Sequence, residues 1–500
     1  MSVQSPAQAP AQIGSFINGA PRAPRAGGFD IPVIDPASEA VISQLREADA
    51  EEVGLAVSAA RTAFDDGRWS KLTHDRRKAV LYDISRTLSA HAAELADLEV
   101  QHTGLPITGV RHHIARAAAN FEMFADVASL QAGQTYTQTD NYLTYVTREP
   151  KGVGALIAPW NAPLALASMR VATCIAFGNT CVLKPSEFTP VSMLRMVELF
   201  HEAGLPDGVV NLVNGRGAVT GVSLVSNPDI DMVSFVGGTG TGRAIASAAG
   251  QNLKPCILEL GGKSASLVFE SADLDQALDG TLLGIYANNG QQCLAGSRIL
   301  LQRSIADAFI EKFVARTRNI RIGDPRAETT EIGPLAYRAH MERVLGFVDV
   351  AKADGATLLT GGKKAAGFDK GFYMEPTAVL APSNRSKVAQ EEIFGPFATF
   401  IIFDTLDEAI AIANDSPFGL VSYVWSNDLP TTMRCSRDIR AGVIWVNTPM
   451  MRELRAPFGG YKESGFGRDG ATTSAEFFTE AKTTSIPIVP LKLPGLGRGA

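Results

Sequence analysis

The segment Met-Val-Ser-Phe-Val-Gly-Gly-Thr-Gly-Thr-Gly at residues 232–242 predicts a strand that runs into a glycine-rich turn, and a helix is predicted over 243–250. The same alternation of apolar runs and helix-like segments precedes it, with strands predicted at 154–158, 181–183 and 209–213 and helices around 163–176 and 190–203. Such alternation is typical of a parallel sheet with helices on both faces. The fold class predicted from this pattern is α/β.

The alternation begins again after Gly262, so the chain is expected to divide there into two α/β units. Strands are predicted at 264–269, 297–301, 399–403, 422–425 and 443–446, with helices at 272–287 and 304–319. Before the first unit the chain predicts short strands over 13–45, helices over 49–126 and a strand at 141–146.

Composition excludes several classes of protein. A net charge of −6 over 500 residues offers no basic patch for nucleic acid. Five cysteines without a CxxC pair predict neither a disulfide framework nor a metal site, and favour a cytoplasmic, reducing location. The first dozen residues predict a frayed tail without a secretory signal. The most apolar span, 153–178, contains two prolines, Asn161 and Arg170, so no membrane segment is expected.

Cys293 lies in Asn-Asn-Gly-Gln-Gln-Cys-Leu-Ala-Gly-Ser, residues 288–297, just before an apolar run. Glycines and amides would leave the sulfur reachable and surrounded by backbone N–H groups, which favour the thiolate. A nucleophile is one interpretation of this pattern. A buried, inert cysteine is the other.

The glycine-rich turn raises the question of a dinucleotide. Gly238, Gly240 and Gly242 give G-x-G-x-G rather than G-x-G-x-x-G, so either a pyrophosphate site or an ordinary tight turn fits. Glu259 lies 21 positions after Gly238, where a ribose-binding acid would be expected. Its place between two leucines instead predicts a raised pKa suited to a general base, or a core ion pair.

Lys184 and Glu187 follow a predicted buried strand, three positions apart. They could hold two hydroxyls of a sugar. By themselves they are also an ordinary polar strand end.

Together these segments resemble the aldehyde dehydrogenase superfamily from about Phe16 to Thr483. The resemblance rests on seven motifs in order: PWNAP at 159–163, KPSE at 184–187, FVGGT at 235–239, ELGGK at 259–263, GQQC at 290–293, EIFGP at 392–396 and PFGG at 457–460.

The resemblance implies that the Cys293 thiolate attacks the aldehyde carbon, forming a thiohemiacetal and then a thioester. Asn161 and the Cys293 backbone N–H would stabilise the oxyanion. Glu259 would activate the water that hydrolyses the thioester. Gln292, where many relatives have Cys or Arg, could change access to the thiol.

The resemblance also implies residues that bind a cofactor. Glu392 and Phe394 would hold the nicotinamide end, Lys184 and Glu187 the adenine ribose. The remaining cofactor contacts would come from Trp160, Gly237 and Gly238. Relatives often have Ser or Thr where this chain has Gly238, so backbone alone is expected to bind the pyrophosphate there. The Glu187 carboxylate would repel a 2′-phosphate, so NAD is favoured over NADP.

The implied architecture is two parallel-sheet, Rossmann-like domains plus a small β oligomerisation element. The expected parts are an NAD-binding domain (1–130 and 152–262), a catalytic domain (263–447), an oligomerisation element (131–151 and 478–500) and a segment at the substrate entrance (448–477). A homodimer or homotetramer is implied.

For the substrate, Arg-Glu-Leu-Arg-Ala-Pro-Phe-Gly-Gly at 452–460 and the stretch 114–121 resemble semialdehyde dehydrogenases of aromatic ring degradation. Two arginines would face a substrate carboxylate, and the motif positions assign these roles to Arg455 and Arg116. Ala115, where those relatives usually have proline, leaves the pose of Arg116 open. Both arginines could instead form surface or interdomain ion pairs.

Three alternatives remain at this point. A general aliphatic or aromatic aldehyde dehydrogenase would leave Arg455 away from substrate. A cysteine hydrolase or acyltransferase would need a histidine beside Cys293, and no histidine lies in these motifs. A non-catalytic protein on the same fold would lack the nucleophile or the base, whereas Cys293 and Glu259 are both present.

Overall fold

The computed structural model describes residues 12–22, 30–137 and 140–497. Positions 1–11 of the tail predicted at the N-terminus lie outside the described residues. In the part of the chain that is described, no helix is long and apolar enough to cross a membrane.

The first part of the chain forms short strands and a group of helices. These are β1 (Gln12–Ile13), β2 (Phe16–Ile17), β3 (Ala20–Pro21), β4 (Asp30–Ile34), β5 (Val41–Arg46), α1 (Ala50–Asp65), α2 (His74–Ala90), α3 (Ala92–Thr103), α4 (Ile107–Ser129), β6 (Gln134–Tyr136) and β7 (Tyr142–Pro150). Helix α1 begins where the Asp49 carboxylate accepts a hydrogen bond from the Glu52 backbone N–H at 2.8 Å, an N-cap.

The next part alternates strands with helices. It comprises β8 (Val153–Ile157), α5 (Pro163–Ala176), β9 (Thr180–Lys184), α6 (Val191–Glu202), β10 (Val210–Leu212), α7 (Val222–Ser226), β11 (Met232–Val236), α8 (Thr239–Gln251) and β12 (Cys256–Glu259). The strands β8, β9 and β11 are buried at every position, which explains why their sequences are continuous apolar runs rather than alternating ones.

The remaining elements form the second unit and the C-terminal segment. They are β13 (Ala265–Val268), α9 (Leu274–Tyr286), β14 (Arg298–Gln302), α10 (Ala306–Arg318), α11 (Arg338–Ala353), β15 (Thr357–Thr360), β16 (Thr377–Leu380), α12 (Lys387–Gln390), β17 (Phe397–Phe403), α13 (Leu406–Asn414), β18 (Phe418–Gly419), β19 (Val421–Trp425), α14 (Leu429–Asp438), β20 (Val443–Val446), β21 (Tyr461–Lys462), β22 (Gly465–Phe466), α15 (Ala471–Phe478) and β23 (Thr479–Pro487).

Two large sheets organise these elements. The first has eight strands in the order β22-β12-β11-β8-β9-β10-β2-β3, and the second has seven in the order β15-β16-β17-β14-β13-β19-β20. Within the first sheet β12, β11, β8, β9 and β10 run parallel, and within the second all neighbours except β15 and β16 do. The predicted α/β fold with two parallel sheets is confirmed.

The chain crosses from the first sheet to the second between Glu259 and Ala265, close to the division expected at Gly262. A separate three-stranded sheet, β23-β7-β6, pairs residues 479–487 with 142–150. It joins the two segments expected to form the oligomerisation element. The domain boundaries themselves stay a prediction.

The eight-stranded sheet positions a binding crevice. From β8 the chain moves outward to β9 and β10, and then returns to the other side of β8 as β11. The direction of winding therefore reverses between β8 and β11, and in open parallel sheets ligands bind outside the carboxyl ends of strands at such a switch point. The loops after β8, β9 and β11 all open onto this edge.

One predicted boundary is wrong. Helix α8 begins at Thr239 rather than at Arg243, so Gly240 and Gly242 lie in its first turn and not in a preceding loop. A side chain at Gly242 would overlap Leu260, so glycine here allows the helix to pack closely on the chain that follows β12.

Candidate active site

The loop that carries Cys293 has an unusual backbone. Asn288, Asn289 and Gly290 have φ values of +57°, +57° and +70°, a left-handed conformation that suits asparagine and glycine. A side chain at Gly290 would overlap the backbone of Gly395. The cysteine loop therefore rests directly on the loop that follows Glu392.

Asn161 lies beside the cysteine loop. Its side-chain Nδ2 donates a hydrogen bond to the Gln291 carbonyl at 2.9 Å, and Asn288 Nδ2 donates to the Asn161 carbonyl at 2.8 Å. A primary amide has two N–H groups, so one remains for a substrate oxygen. Asn161 and Cys293 line the same cavity.

The pKa of the Cys293 thiol differs from the expectation that the thiolate is favoured. Burial, reinforced by the carboxylates of Glu392 and Glu259, raises its pKa to about 12, whereas Arg452 acts in the opposite direction. The predicted preference for the thiolate is therefore wrong for this state of the protein, because loss of solvent and two nearby acids outweigh the backbone N–H groups. The Gln292 amide donates to the Gly284 carbonyl at 3.3 Å.

Glu259 ends β12 and is 6% exposed. Burial and the neighbouring Asp469 raise its pKa to about 8, while Arg170 and Arg452 lower it. In the part of the chain that the structure describes, its Oε1 has no hydrogen-bond partner, and a side chain at Gly459 would approach that oxygen to 2.7 Å. The raised pKa expected for this carboxyl is present.

The part of the crevice where the adenine ribose is expected is built from β9 and α8. Lys184 is buried, burial lowers its pKa to about 8, and its Nζ donates to the Pro185 carbonyl at 2.7 Å. The nearby Glu187 carboxylate partly offsets that shift. Gly238 is the N-cap of α8, makes no side-chain cap, and has open space around its α-carbon.

These groups fit a dinucleotide. Gly237 and Gly238 leave the first backbone N–H groups of α8 free of side-chain caps, and a helix N-terminus in this state attracts a pyrophosphate. Lys184 ends β9, the next strand but one from β11, and Glu187 lies in the loop that follows it, so two ribose hydroxyls could be held between them.

The part of the crevice where the nicotinamide end is expected contains an aromatic cluster. The rings of Trp160 and Phe394 meet edge to face with centroids 5.3 Å apart. Phe394 has a φ of +61°. Glu392 Oε1 accepts a hydrogen bond from the Gly262 N–H at 2.9 Å, and burial raises the pKa of this carboxyl.

Sequence reasoning missed two residues that fix this loop. Arg343 donates to the carbonyls of Ile393 and Glu392 at 2.8 and 2.6 Å. His340 Nε2 lies 2.7 Å from the Phe394 carbonyl, and burial lowers the pKa of its imidazole to about 4, so the ring is neutral. Both lie on α11, and no local motif around them points to the distant loop.

Four arginines line the cavity that contains Cys293. Arg316 and Arg321 are more than half exposed and form ion pairs with acidic residues. The Nε atoms of the other two, Arg116 of α4 and Arg452, are buried and have no hydrogen-bond partner among the described residues. Burial and, to a smaller extent, the nearby charge of Arg116 lower the pKa of Arg452 to about 10. The Arg452 guanidinium lies 3.6 Å above the Phe458 ring.

Arg455, which the sequence motif assigned to substrate, is not brought to this cavity. Its side chain is 72% exposed and forms a two-point pair with Glu453, with nitrogen–oxygen distances of 2.8 and 2.9 Å. Arg452, three residues earlier in the same motif, takes the inward position. The Trp445 indole donates to the Met451 carbonyl at 2.7 Å and so holds the segment that turns Arg452 inward.

All five cysteines are free. Among residues 12–22, 30–137 and 140–497, no group of three His, Cys, Asp or Glu side chains could hold a metal ion.

Comparison with known proteins gives a consistent result. Residues 24–484 match the aldehyde dehydrogenase family. The chain is 41% identical to the 5-carboxymethyl-2-hydroxymuconate semialdehyde dehydrogenase of Escherichia coli, over 88% of this chain and 94% of that protein.

Solved structures also resemble this chain in fold and sequence. The structure of HpcC from Thermus thermophilus matches with a TM-score of 0.93 and 39% identity, over 99% of this chain and 96% of that one. Betaine aldehyde dehydrogenase from Staphylococcus aureus, solved in complex with NAD⁺, matches with a TM-score of 0.95 and 34% identity, over 97% of each chain.

Proposed function

The chain belongs to the aldehyde dehydrogenase family, whose members are oxidoreductases acting on aldehydes, and we propose that its substrate is a semialdehyde that carries a carboxylate. One observation carries the proposal: Arg116 and Arg452 line the cavity of the nucleophile, and no described residue accepts a hydrogen bond from either side chain. Two like charges so placed need an anion, because buried unpaired charges are costly.

The charge of the cavity favours this substrate over two others. Betaine aldehyde, the substrate in the name of one relative, is a quaternary ammonium ion that two guanidinium groups would repel. A neutral aliphatic aldehyde would leave both arginines unpaired. A carboxylate accepts two parallel hydrogen bonds from the N–H groups of a guanidinium, and this pairing orients the substrate as well as adding affinity.

The chemistry follows from the proposed roles of three residues. Cys293 sulfur attacks the aldehyde carbon, and the free N–H of Asn161 and the Cys293 backbone N–H donate to the resulting oxyanion. Glu259 takes the proton as the carbon–sulfur bond forms, because transfer before the attack would be uphill from a thiol of pKa about 12 to a carboxylate of pKa about 8, and the proton then passes to solvent. After oxidation to a thioester, Glu259 removes a proton from the water that attacks it, which releases the acid.

NAD, when bound, supplies the hydride acceptor. Trp160, Glu392 and Phe394 would hold its nicotinamide end, and Gly237 with Gly238 its pyrophosphate. Lys184 and Glu187 would hold the adenine ribose, where the carboxylate favours a 2′-hydroxyl over the 2′-phosphate of NADP.

We further propose that the chain forms homodimers or homotetramers through the β23-β7-β6 sheet. Tyr136, Tyr142, Leu143 and Ile486 of this sheet are exposed apolar or aromatic side chains, as a partner-binding surface would have. Light scattering coupled to gel filtration measures the assembly, and a monomer at micromolar concentration would contradict this part of the proposal.

Substrate choice is tested by comparing a muconate-type semialdehyde with hexanal, following NADH at 340 nm. Arg452→Gln is expected to lower kcat/KM for the semialdehyde about 30-fold more than for hexanal, equivalent to about 2 kcal/mol, because the effect of the lost charge on the pKa values of Cys293 and Glu259 is shared by both substrates.

The matched control is Arg455→Gln, which removes an exposed arginine of the same motif. It is expected to change kcat/KM by no more than about twofold for either substrate. The proposal fails if hexanal is the better substrate, or if Arg455→Gln causes the loss and Arg452→Gln does not.

A further inference from the structure

An ion pair lies next to the place proposed for the adenine ribose and has no part in the arrangement above. Glu47 directly follows β5, and its side chain is 6% exposed. Its two carboxylate oxygens accept hydrogen bonds from the Arg216 guanidinium, from Nε at 2.9 Å and from Nη2 at 2.6 Å. The Arg216 backbone N–H donates to the same carboxylate at 2.9 Å. These hydrogen bonds hold the pKa of the Glu47 carboxyl below its usual range, so the group is ionised at neutral pH.

The backbone next to the pair is fixed from both sides. The Ala48 N–H donates to the Asn214 carbonyl at 2.8 Å, and the Thr220 hydroxyl donates to the Ala48 carbonyl at 2.8 Å. A side chain at Gly215 would overlap Thr220 and approach Glu47 to 3.0 Å, so the two segments are in close contact. The carboxylate of the pair is therefore held in place by its own backbone.

Arg216 lies at the edge of the sheet that also carries Lys184. It follows β10, which runs parallel to β9, and Lys184 is the last residue of β9. The Arg216 carbonyl accepts hydrogen bonds from the N–H groups of residues 219–221, which form a turn that ends at Gly221. A β-carbon at Gly221 would contact the Lys184 side chain at 3.7 Å. The turn that begins with Arg216 therefore packs against the lysine proposed to hold the ribose.

The charges of this group balance. Burial lowers the pKa of Lys184 to about 8, and the carboxylates of Glu187 and Glu47 act against that shift. The hydrogen bonds to Glu47 raise the pKa of Arg216, and the charge of Glu187 adds to the effect. These four side chains thus act on one another, and two are positive and two negative. A 2′-phosphate, with a charge of about −1.5 to −2 at pH 7, meets no net positive charge there.

The guanidinium is the part of the group that suits a phosphate, because it can donate two parallel hydrogen bonds. In this structure Nε and Nη2 of Arg216 both donate to Glu47. The Arg216 side chain is 45% exposed, so it can turn toward the crevice without displacing the core. Loss of the Glu47 carboxylate would release the guanidinium and give the group a net positive charge.

We propose that Glu47 is a positioning residue that determines cofactor choice, because its pairing with Arg216 withholds the guanidinium from a 2′-phosphate and so favours NAD over NADP. The inference rests on the proposed function, because it assumes that Lys184 and Glu187 hold the adenine ribose. Glu187 discriminates by its own charge, whereas Glu47 acts through Arg216. The two acids therefore contribute separately to the choice.

The test is the affinity for NAD and for NADP, measured by isothermal titration calorimetry. Glu47→Gln is expected to lower the Kd of NADP about tenfold and to change that of NAD less than about threefold. The double variant Glu47→Gln/Arg216→Gln restores the balance of charge but has no guanidinium. Its Kd for NADP should return to within about threefold of the value for the unmodified enzyme.

An ion pair on the second sheet provides the matched control. Asp404→Asn removes a carboxylate that accepts hydrogen bonds from Nε and Nη2 of Arg303, as Glu47 does from Arg216. It is expected to leave both Kd values within about twofold. If Glu47→Gln does not fold, Glu47→Asp carries the same comparison, because the shorter side chain cannot keep both hydrogen bonds. The expected decrease in the Kd of NADP is then about threefold.

Three results would overturn the inference. Glu47→Gln could leave the affinity for NADP unchanged, or it could weaken NAD and NADP alike, as a purely structural pair would. A gain for NADP that persists in the double variant would show that the guanidinium does not bind the phosphate. Failure of the proposed function has its own signature, in which Lys184→Met and Glu187→Gln both leave the Kd of NAD unchanged.

Discussion

Replacing Asp469 by asparagine is expected to move the pH dependence of thioester hydrolysis to lower pH. Burial and Asp469 together raise the pKa of Glu259 to about 8. Only the ionised carboxylate can act as a base, so the hydrolysis rate rises as pH increases through that value. At pH 7 about one-eleventh of the enzyme is in the active form, from the difference of one pKa unit.

Removing the neighbouring charge increases that fraction. If the pKa of Glu259 falls by about one unit, a size usual for one nearby charge, half of the enzyme is active at pH 7. Arg170, which pairs with Asp469 inside the protein, is then free to stabilise the Glu259 carboxylate and acts in the same direction. The rate of hydrolysis at pH 7 should therefore rise about fivefold.

The assay is the steady-state rate after a burst of NADH, measured from pH 6 to 10 under conditions in which hydrolysis limits turnover. Because breaking a buried pair can cost about 3–5 kcal/mol, the thermal unfolding of Asp469→Asn must be checked first. Arg468→Gln provides the opposite case, since Arg468 lowers the pKa of Glu259 and its loss should move the midpoint upward. If the midpoint of the pH–rate profile is the same in both variants as in the unmodified enzyme, the assignment of Glu259 as the base is refuted.

Three further predictions concern the thiol, the cysteine loop and the cofactor. Alkylation of Cys293 by iodoacetamide, located by mass spectrometry, should accelerate about tenfold per pH unit from pH 7 to 10, because its pKa is about 12; a plateau below pH 9 would contradict this. Gly290→Ala should lower the free energy of unfolding by about 2 kcal/mol or more and reduce kcat, since its φ is positive and its side chain would meet Gly395; calorimetry and kinetics check both effects. Glu187→Gln should raise kcat/KM for NADP about tenfold relative to NAD, and an unchanged ratio would argue against contact with the ribose.

Much of the fold could be predicted because its strands are short apolar runs between clear breaks. The bounds of α5 at 163–176, β11 at 232–236 and β20 at 443–446 agree with the prediction. The start of α8 could not be predicted, because glycine has a low intrinsic helix propensity. Only the close packing of Gly242 on Leu260, a tertiary contact, explains a helix there.

The candidate site was predictable where its residues belong to motifs. Cys293 and Asn161 come together as the motifs implied, and Glu259 has the raised pKa that its two leucine neighbours suggested. The choice between Arg452 and Arg455 was not predictable, because both belong to one motif and only the path of the backbone decides which points inward. The pKa of Cys293 was likewise not predictable, since it depends first on burial in the folded protein and then on Glu392, which is distant in sequence.

The end of β8 has a consequence for how the two ligands affect one another. Trp160 contacts Phe394 in the aromatic cluster, while the next residue, Asn161, lines the cavity of Cys293 and bonds to the cysteine loop. In the proposed arrangement the cofactor and the aldehyde therefore meet neighbouring residues of the loop after β8, and a shift of the backbone on one side is transmitted to the other. Occupancy of either site should change the affinity of the other, and thermodynamic linkage requires the two effects to be equal.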